Sequence, residues 1–138
     1  MRAAGQKFAT ELAVRPDDID MNQHVHNSRY FDYVLAARYD QMRRCYGMPM
    51  EEFLRLGFGW VVKTAHLDFK RPLNLGDMMI VTTWIEEMFE DGVKVGFTIV
   101  RKESGKLCCD GYFDYTMVSL ATGRAAAIPQ AIREKYSV

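Results

Sequence analysis

The spacing of apolar positions changes once along the chain. A weak alternation over residues 7–14 predicts a first strand, and apolar side chains then recur at helical spacing over residues 27–46. From Gly57 onward the apolar positions alternate with a period of two, which is typical of strands with one buried face. The pattern therefore predicts a strand, a long helix and four further strands, an α+β order in one domain spanning residues 1–138.

The helix predicted over residues 27–46 carries apolar side chains around most of its circumference, which favours burial on more than one side. Asn27 or Ser28 is the expected N-cap, because a side-chain oxygen there can accept a hydrogen bond from an unpaired N–H of the first turn. Gly47 and a proline two residues later are expected to end the helix. A short second helix is predicted over residues 50–56.

Four strand segments follow, and short turns separate them. Their alternating apolar positions are Val61, Ala65, Leu67 and Phe69, then residues 78–87, then Val93, Val95, Phe97 and Ile99, and finally Leu107, Cys109, Phe113, Tyr115 and Met117. Strands joined by short turns form an antiparallel meander, and the long helix must pack on one face of that sheet to bury its apolar side.

Composition narrows the class of protein. The 138 residues are 49% hydrophobic, which is too apolar for intrinsic disorder, and 18 basic residues balance 18 acidic ones. The zero net charge argues against a nucleic-acid partner or a polybasic membrane surface, and no apolar stretch approaches the roughly 20 residues of a membrane span. Three cysteines without a CxxC spacing, and no apolar leader at the N-terminus, favour free thiols and a cytoplasmic location.

The segment between the first strand and the long helix, RPDDIDMNQHVHN, concentrates aspartates, asparagines and histidines. It lies directly before the predicted helix N-terminus, where unpaired N–H groups and a positive partial charge can stabilise an oxyanion. Carboxylates, amides and imidazoles at such a place are suited to acyl transfer. A solvated loop whose Asp and Asn side chains make turns and caps explains the same residue types equally well.

The spacing within this segment adds a resemblance. The pattern DxDxxxHVxNxxY over residues 18–30 resembles the signature of the hot-dog-fold thioesterases of the 4-hydroxybenzoyl-CoA type and of the plant acyl-ACP thioesterases. FKRPLNLGD over residues 69–77 is similar to a strand–turn–strand element of the same families, so the resemblance covers nearly the whole chain. It implies a hot-dog fold, in which a curved antiparallel sheet of five or six strands wraps around one long helix. It also implies an enzyme that hydrolyses an acyl-CoA or acyl-ACP thioester.

The resemblance also implies catalytic roles. Asp20 matches the reacting carboxylate, as nucleophile or as general base toward water, whereas Asp18 is expected to be structural. Asn22 and His24 match a polar pair of the acyl-ACP members, and the backbone N–H groups around Asn27 and Ser28 are the expected oxyanion donors. A thiol with a pKa near ~8.5 leaves as a thiolate with little acid help, so neither a metal nor another cofactor is expected.

Four further residues are candidates for substrate contacts. Tyr30 and Trp60 are expected to line an acyl pocket. His66 shares a strand face with Asp68, which is compatible with a cleft position or with a hydrogen-bonded structural pair. The turn that carries CoA-binding basic residues in the 4-hydroxybenzoyl type reads EEMFED here. Arg71 is therefore a candidate phosphate contact, and Lys70, Arg101, Lys102 and Lys106 are further ones, unless these residues only form a solvated surface.

The expected assembly is a homo-oligomer, a dimer or a tetramer, because a sheet that wraps one helix leaves an edge strand open for pairing. Two other functions stay open at this point. One is a non-catalytic module that binds an acyl thioester on the same fold. The other is a metal-binding protein that uses the spacing His24-x-His26.

Overall fold

A computed structural model describes residues 5–137; the predicted domain boundaries, residues 1 and 138, lie outside that range. A 3-10 turn at Pro16–Asp18 lies in the loop before the long helix. The described strands and α-helices are β1 (Phe8–Ala13), α1 (Asn27–Arg44), α2 (Met50–Arg55), β2 (Phe58–Phe69), β3 (Met78–Met88), β4 (Gly92–Arg101), β5 (Leu107–Ser119) and α3 (Gln130–Tyr136).

The five strands form one antiparallel sheet in the order β1-β3-β4-β5-β2. The predicted meander is confirmed for β3, β4 and β5, but it is wrong for β2, which pairs with β5 and not with β3. The connection over residues 70–77 is too long for a tight hairpin and contains a proline. It carries the chain from the edge strand β2 past β5 and β4 to β3. Leu73 in this connection is fully buried, and its N–H donates to the Tyr30 hydroxyl at 2.9 Å.

A register shift divides β2 into two halves: even-numbered residues face the core before the shift, and odd-numbered residues take that face after it. Trp60 pairs with Met117 on the core face and Ala65 pairs with Phe113, with the irregularity between Val62 and Thr64. Because an extra residue moves each later side chain to the other face, the prediction is wrong for Val61 before the shift, whereas Ala65, Leu67 and Phe69 take the predicted face after it. Val61 accordingly points away from the core and is 49% exposed. Ala65 and Phe69 are nevertheless exposed, because β2 lies at the edge of the sheet.

Helix α1 packs on the sheet through one stripe of buried residues at helical spacing. These residues are Tyr30, Tyr33, Val34, Ala37, Arg38, Gln41 and Met42. The predicted burial on more than one side is wrong for the described chain, because the sheet covers one face only and Tyr39 on the other side is 45% exposed.

A buried amide fixes the position of α1 on the sheet. The Gln41 side chain is fully buried, and its Nε2 donates to the Val81 carbonyl at 3.3 Å and to the Thr10 hydroxyl at 3.1 Å. Its Oε1 accepts from the Thr83 hydroxyl. Every polar atom of this buried side chain therefore has a partner on β1 or β3, as buried polar groups normally do.

Helix α3 was not predicted from the sequence, although Ile128, Ile132 and Tyr136 recur every four residues and are all buried. The Tyr136 ring stacks on Tyr46 with centroids 4.4 Å apart, and its hydroxyl donates to the Met48 carbonyl at 2.9 Å. These contacts close the hydrophobic cluster beside the C-terminal half of α1. A segment of seven residues is too short for its periodicity to stand out.

Strands β2 and β5 approach so closely at Gly111 that only a residue without a side chain fits there. A Cβ at this position would lie 1.8 Å from the His66 carbonyl oxygen. We expect Gly111→Ala to lower the free energy of unfolding by about 3 kcal/mol or more, because backbone must move. Gly105→Ala is the matched control: its φ is +71° but its surroundings are open, so about 1 kcal/mol is expected. Equal losses in urea denaturation would contradict this packing.

Candidate active site

The predicted catalytic residues Asp20, Asn22 and His24 belong to one hydrogen-bonded turn over residues 20–24. The Asp20 N–H donates to the His24 carbonyl at 2.9 Å, and the Gln23 N–H donates to the Asp20 carbonyl at 3.0 Å. The Asp20 Oδ1 accepts from the N–H groups of Asn22 at 2.9 Å and of His24 at 3.3 Å. Within residues 5–137 no group donates to Oδ2. The turn therefore holds the carboxylate by one oxygen and leaves the other available.

Backbone contacts on both sides hold this turn in place. Ile19 and Val25 form an antiparallel bridge at its base, and His24 bridges Asn74 of the crossing connection. The Val25 N–H also donates to the Leu73 carbonyl at 2.8 Å. The turn thus takes its position from the connection between β2 and β3 as well as from its own sequence.

Asp18, two residues before Asp20, anchors the start of this turn through its buried side chain. Its side chain is 3% exposed, and Oδ2 accepts from the Tyr33 hydroxyl at 2.6 Å and from Arg15 Nε at 2.9 Å. Arg29 Nε lies 3.5 Å from Oδ1. Burial raises the pKa of Asp18, but the hydrogen bonds from Tyr33 and Arg15 outweigh it and hold the pKa below its usual value. Asp18 is therefore held by protein groups alone within residues 5–137, which is the environment expected for the structural role that the sequence predicts.

The N-cap of α1 is His26, so the prediction of Asn27 or Ser28 is wrong. The His26 Nδ1 accepts from the Ser28 N–H at 3.2 Å and lies 2.8 Å from the Ser28 hydroxyl. The helix begins at Asn27, so the capping position falls one residue earlier, where an imidazole nitrogen accepts the bond that a side-chain oxygen of Ser, Thr, Asn or Asp usually accepts. Ser28 is thus no longer free as an oxyanion donor, whereas no group within residues 5–137 accepts from the Asn27 N–H.

The four predicted catalytic residues lie close together in the chain, over residues 20–27. Asn22 and His24 belong to the same turn as Asp20, and Asn27 opens the helix that follows. Their three side chains are exposed, whereas Asp20 is half-buried. One carboxylate, one imidazole and two amides thus lie in the segment that leads into a helix whose first N–H has no acceptor within residues 5–137.

The four predicted substrate contacts do not form one cluster with this turn. Tyr30 is 2% exposed and accepts from the Leu73 N–H, so it positions the crossing connection. His66 lies on the sheet face opposite α1, with Nε2 3.0 Å from Asp68 Oδ2, and its ring stacks on Tyr112. Arg71 is exposed and donates to the Leu107 carbonyl at 3.1 Å.

Trp60 lies in the wall of a cavity of about 340 Å³. Helix α1, strands β2, β4 and β5, and helix α3 all contribute to this wall, through mostly apolar and aromatic side chains. Arg38 also lines the cavity but was not singled out from the sequence. The signal was present, because Arg38 stands at a buried position of the helical stripe, one residue after Ala37.

The remaining reactive groups do not compete with Asp20. Cys108 and Cys109 are fully buried, and burial raises the pKa of the Cys109 thiol to about 12, so it carries little thiolate. Among residues 5–137 no three His, Cys, Asp or Glu side chains are placed to hold a metal ion. In the same range no helix combines the length and the apolar character needed to cross a membrane.

A five-stranded antiparallel sheet with one long helix packed on its face is the architecture of the hot-dog proteins, which confirms the predicted fold. The sequence model of the Thioesterase-like superfamily matches residues 14–136. The chain belongs to this superfamily.

Individual relatives agree with this assignment. The chain is 25% identical over 126 residues to the long-chain acyl-CoA thioesterase FadM of Escherichia coli K12, covering 91% of this chain and 94% of FadM. It is 28% identical over 76 residues to the chloroplastic acyl-[acyl-carrier-protein] hydrolase FATB3 of Cuphea viscosissima, 55% of this chain and 18% of that protein. A 1,4-dihydroxy-2-naphthoyl-CoA thioesterase structure from Synechocystis superposes with a TM-score of 0.86 at 19% identity, covering 95% of this chain and 96% of that one.

The bonds to Asp18 predict a pH-dependent contribution to stability. We expect Asp18→Asn to lower the free energy of unfolding at neutral pH by about 1–3 kcal/mol, because Tyr33 and Arg15 lose a buried ionic acceptor. The pKa of Asp18 is lowered by folding from 3.8, so its contribution is present above that pH and is lost as the pH falls through the folded-state pKa.

Urea denaturation at neutral pH and at about pH 3 measures this difference. Asp17→Asn, a change at the exposed neighbouring position, is the control and is expected to stay within about 0.5 kcal/mol of the parent protein. A cost for Asp18→Asn that is the same at both pH values would contradict an ionic role.

Proposed function

We propose that the protein hydrolyses acyl-CoA thioesters to the free acid and CoA, with Asp20 as the reacting carboxylate. The observation that carries this proposal is the Asp20 side chain, which is fixed through Oδ1 by two backbone N–H groups while Oδ2 faces no donor within residues 5–137. It stands beside the start of α1 in a chain of the Thioesterase-like superfamily.

The available oxygen of Asp20 supports two routes. As a nucleophile, Oδ2 attacks the thioester carbonyl, the C–S bond breaks, the thiolate leaves, and water then hydrolyses the resulting anhydride. As a general base, Oδ2 accepts a proton from a water that attacks the same carbonyl. In both routes the carbonyl oxygen gains negative charge, and the unoccupied Asn27 N–H at the positive end of α1 is the donor proposed to stabilise it.

His24 and Asn22 are proposed to assist the reaction at Asp20. Their backbone N–H groups already hold the Asp20 Oδ1, and their exposed side chains stand on the solvent side of the turn. From there the imidazole of His24 can orient the attacking water, and the amide of Asn22 can donate to the substrate. Their loss is expected to cost less than the loss of Asp20.

The carrier is proposed to be CoA and not an acyl carrier protein. The acyl-CoA relative matches over nearly its whole length, whereas the match to the acyl-ACP hydrolase spans 18% of that protein. Arg71 is the proposed phosphate contact, because it is exposed on the connection that borders the turn. Trp60 is the proposed acyl contact in the cavity. Three free cysteines support a reducing, cytoplasmic setting.

Replacing Asp20 tests the reaction directly. We expect Asp20→Asn to lower kcat for acyl-CoA hydrolysis by about 100-fold or more, because the amide cannot attack or accept a proton. It should keep the fold, since an amide oxygen can still accept from the two backbone N–H groups. Thiol release from a panel of acyl-CoA and acyl-ACP thioesters is the measurement, and Asp17→Asn is the control for a charge change in the same loop.

The other outcomes separate the rival functions. Full activity in Asp20→Asn would remove Asp20 from the mechanism. Binding of acyl thioesters without turnover in the parent protein would favour a non-catalytic module. Activity abolished by chelation and restored by zinc would favour the metal-binding alternative, although His26 of the His24-x-His26 pair already caps α1 through Nδ1.

The open edge of β2 supports the proposal of a homodimer. β2 is twelve residues long, pairs only with β5 among the described strands, and exposes residues 63–66. Pairing of two such edges would continue the sheet from one protomer to its partner. Light scattering at micromolar concentration is expected to give at least twice the chain mass of 15.9 kDa. A mass of one chain under these conditions would contradict the proposal.

A further inference from the structure

Arg38 is a buried cation without an ionic partner in the described chain. Its residue exposure is 7%, no carboxylate within residues 5–137 lies within salt-bridge distance, and its Nη1 has no hydrogen-bond partner there. The contact it does make is with an aromatic ring, since its guanidinium carbon lies 5.4 Å from the centre of the Tyr46 ring. Arg38 lines the cavity beside α1.

A second unpaired donor lies in the same wall. The Tyr115 hydroxyl is buried and makes no hydrogen bond of good geometry within residues 5–137. Burial raises the pKa of Tyr115, whereas the charge of the neighbouring Arg38 guanidinium and its approach to the hydroxyl lower the pKa by a smaller amount. The phenol therefore keeps its proton, and that proton has no acceptor within residues 5–137. The cavity therefore presents two donor groups, from α1 and β5, in an otherwise mostly apolar wall.

The contrast with Gln41 shows that this pattern is not general in the core. Gln41 stands one turn further along the same stripe, and each of its polar atoms has a protein partner. A buried unpaired cation is unfavourable, and buried polar groups are normally satisfied by protein groups, by ordered water or by a bound ligand. The groups that Arg38 and Tyr115 lack are acceptors, and the guanidinium fork matches a carboxylate bidentately.

The position of Arg38 decides which end of a substrate would meet it. Arg38 follows Asn27, the first residue of α1, by eleven positions, which places it about 16 Å along the helix axis from the start of the helix. A thioester reacting at Asp20 therefore does not place its own carbonyl beside Arg38. The far end of an acyl chain that runs along α1 would reach it.

We propose that the Arg38–Tyr115 cavity binds a carboxylate at the far end of the acyl group, so that the preferred substrates are monothioesters of dicarboxylic acids. This inference rests on the proposed thioesterase function for the reacting end. Arg38 then forms the bidentate ion pair, the Tyr115 hydroxyl donates to the same carboxylate, and Trp60 packs on the methylene chain.

Binding of non-hydrolysable CoA thioethers tests the proposal without requiring turnover. The probes are S-alkyl-CoA, S-(ω-hydroxyalkyl)-CoA and S-(ω-carboxyalkyl)-CoA over a series of matched chain lengths, with Kd measured by calorimetry. At the best length the carboxyl-ended probe is expected to bind at least about tenfold more tightly than the methyl-ended one. Equal affinity, or a preference for the methyl or hydroxyl end at every length, would overturn the proposal.

Two variants assign the preference to its residues. Arg38→Met keeps the apolar volume of the side chain and should abolish or reverse the preference for the carboxyl-ended probe. Tyr115→Phe should reduce it by a smaller factor. Arg55 is exposed on α2, so Arg55→Met is the control and should leave the preference unchanged. A preference that survives in folded Arg38→Met would contradict the assignment. If that variant does not fold, the comparison of chain ends in the parent protein still decides.

Hydrolysis separates this inference from the function on which it rests. A preference in binding without turnover of any thioester would retain the cavity assignment and remove the proposed thioesterase activity. Turnover of acyl-CoA thioesters with no preference in kcat/KM for a carboxyl end would retain the activity and overturn the cavity assignment.

Discussion

The Asp18 side chain is 3% exposed, and its carboxylate accepts hydrogen bonds from the Tyr33 hydroxyl and from the Arg15 guanidinium. The Arg29 guanidinium forms a longer ion pair with the same carboxylate. Its backbone carbonyl also accepts from the His26 N–H at 2.9 Å. These contacts join the end of the first strand, the start of α1 and the intervening loop at one point. Because the turn that holds Asp20 begins two residues later, its position relative to the helix N-terminus depends on this buried ion cluster. An unpaired Asp18 would be unfavourable in the same place, so the cluster is held as a unit.

The helix that begins at this cluster serves both ends of the proposed substrate. In the proposed site its first N–H group stabilises the oxyanion, and its C-terminal half lines the cavity with Arg38. Gln41 fixes the register of the helix against β1 and β3. A change in that register would shift the distance between the reacting end and the cavity. In the proposed site, the length of α1 therefore sets the distance between the reacting end of the substrate and the acyl cavity.

Much of this arrangement could be predicted because it depends on local pattern. The period change located α1 and the strands, whereas the roles proposed for Asp18 and Asp20 rest on the family resemblance. The pairing of β2 with β5 could not be predicted, because it depends on contacts between segments far apart in sequence. The cap at His26 was missed because imidazole is an uncommon cap, although it offers the same kind of acceptor. The role proposed for Arg38 rests on its burial without an ionic partner within residues 5–137, which only the three-dimensional structure shows.

The central claim is that one site extends from Asp20 along α1 to the cavity. The most direct measurement is a crystal structure with a non-hydrolysable 2-oxoalkyl-CoA, in which a methylene separates the carbonyl carbon from sulfur. We expect the carbonyl oxygen within hydrogen-bonding distance of the Asn27 N–H, the carbonyl carbon next to the Asp20 Oδ2, and the chain inside the cavity lined by Trp60 and Arg38. A carbonyl bound away from Asp20, with the chain on another surface, would contradict the account.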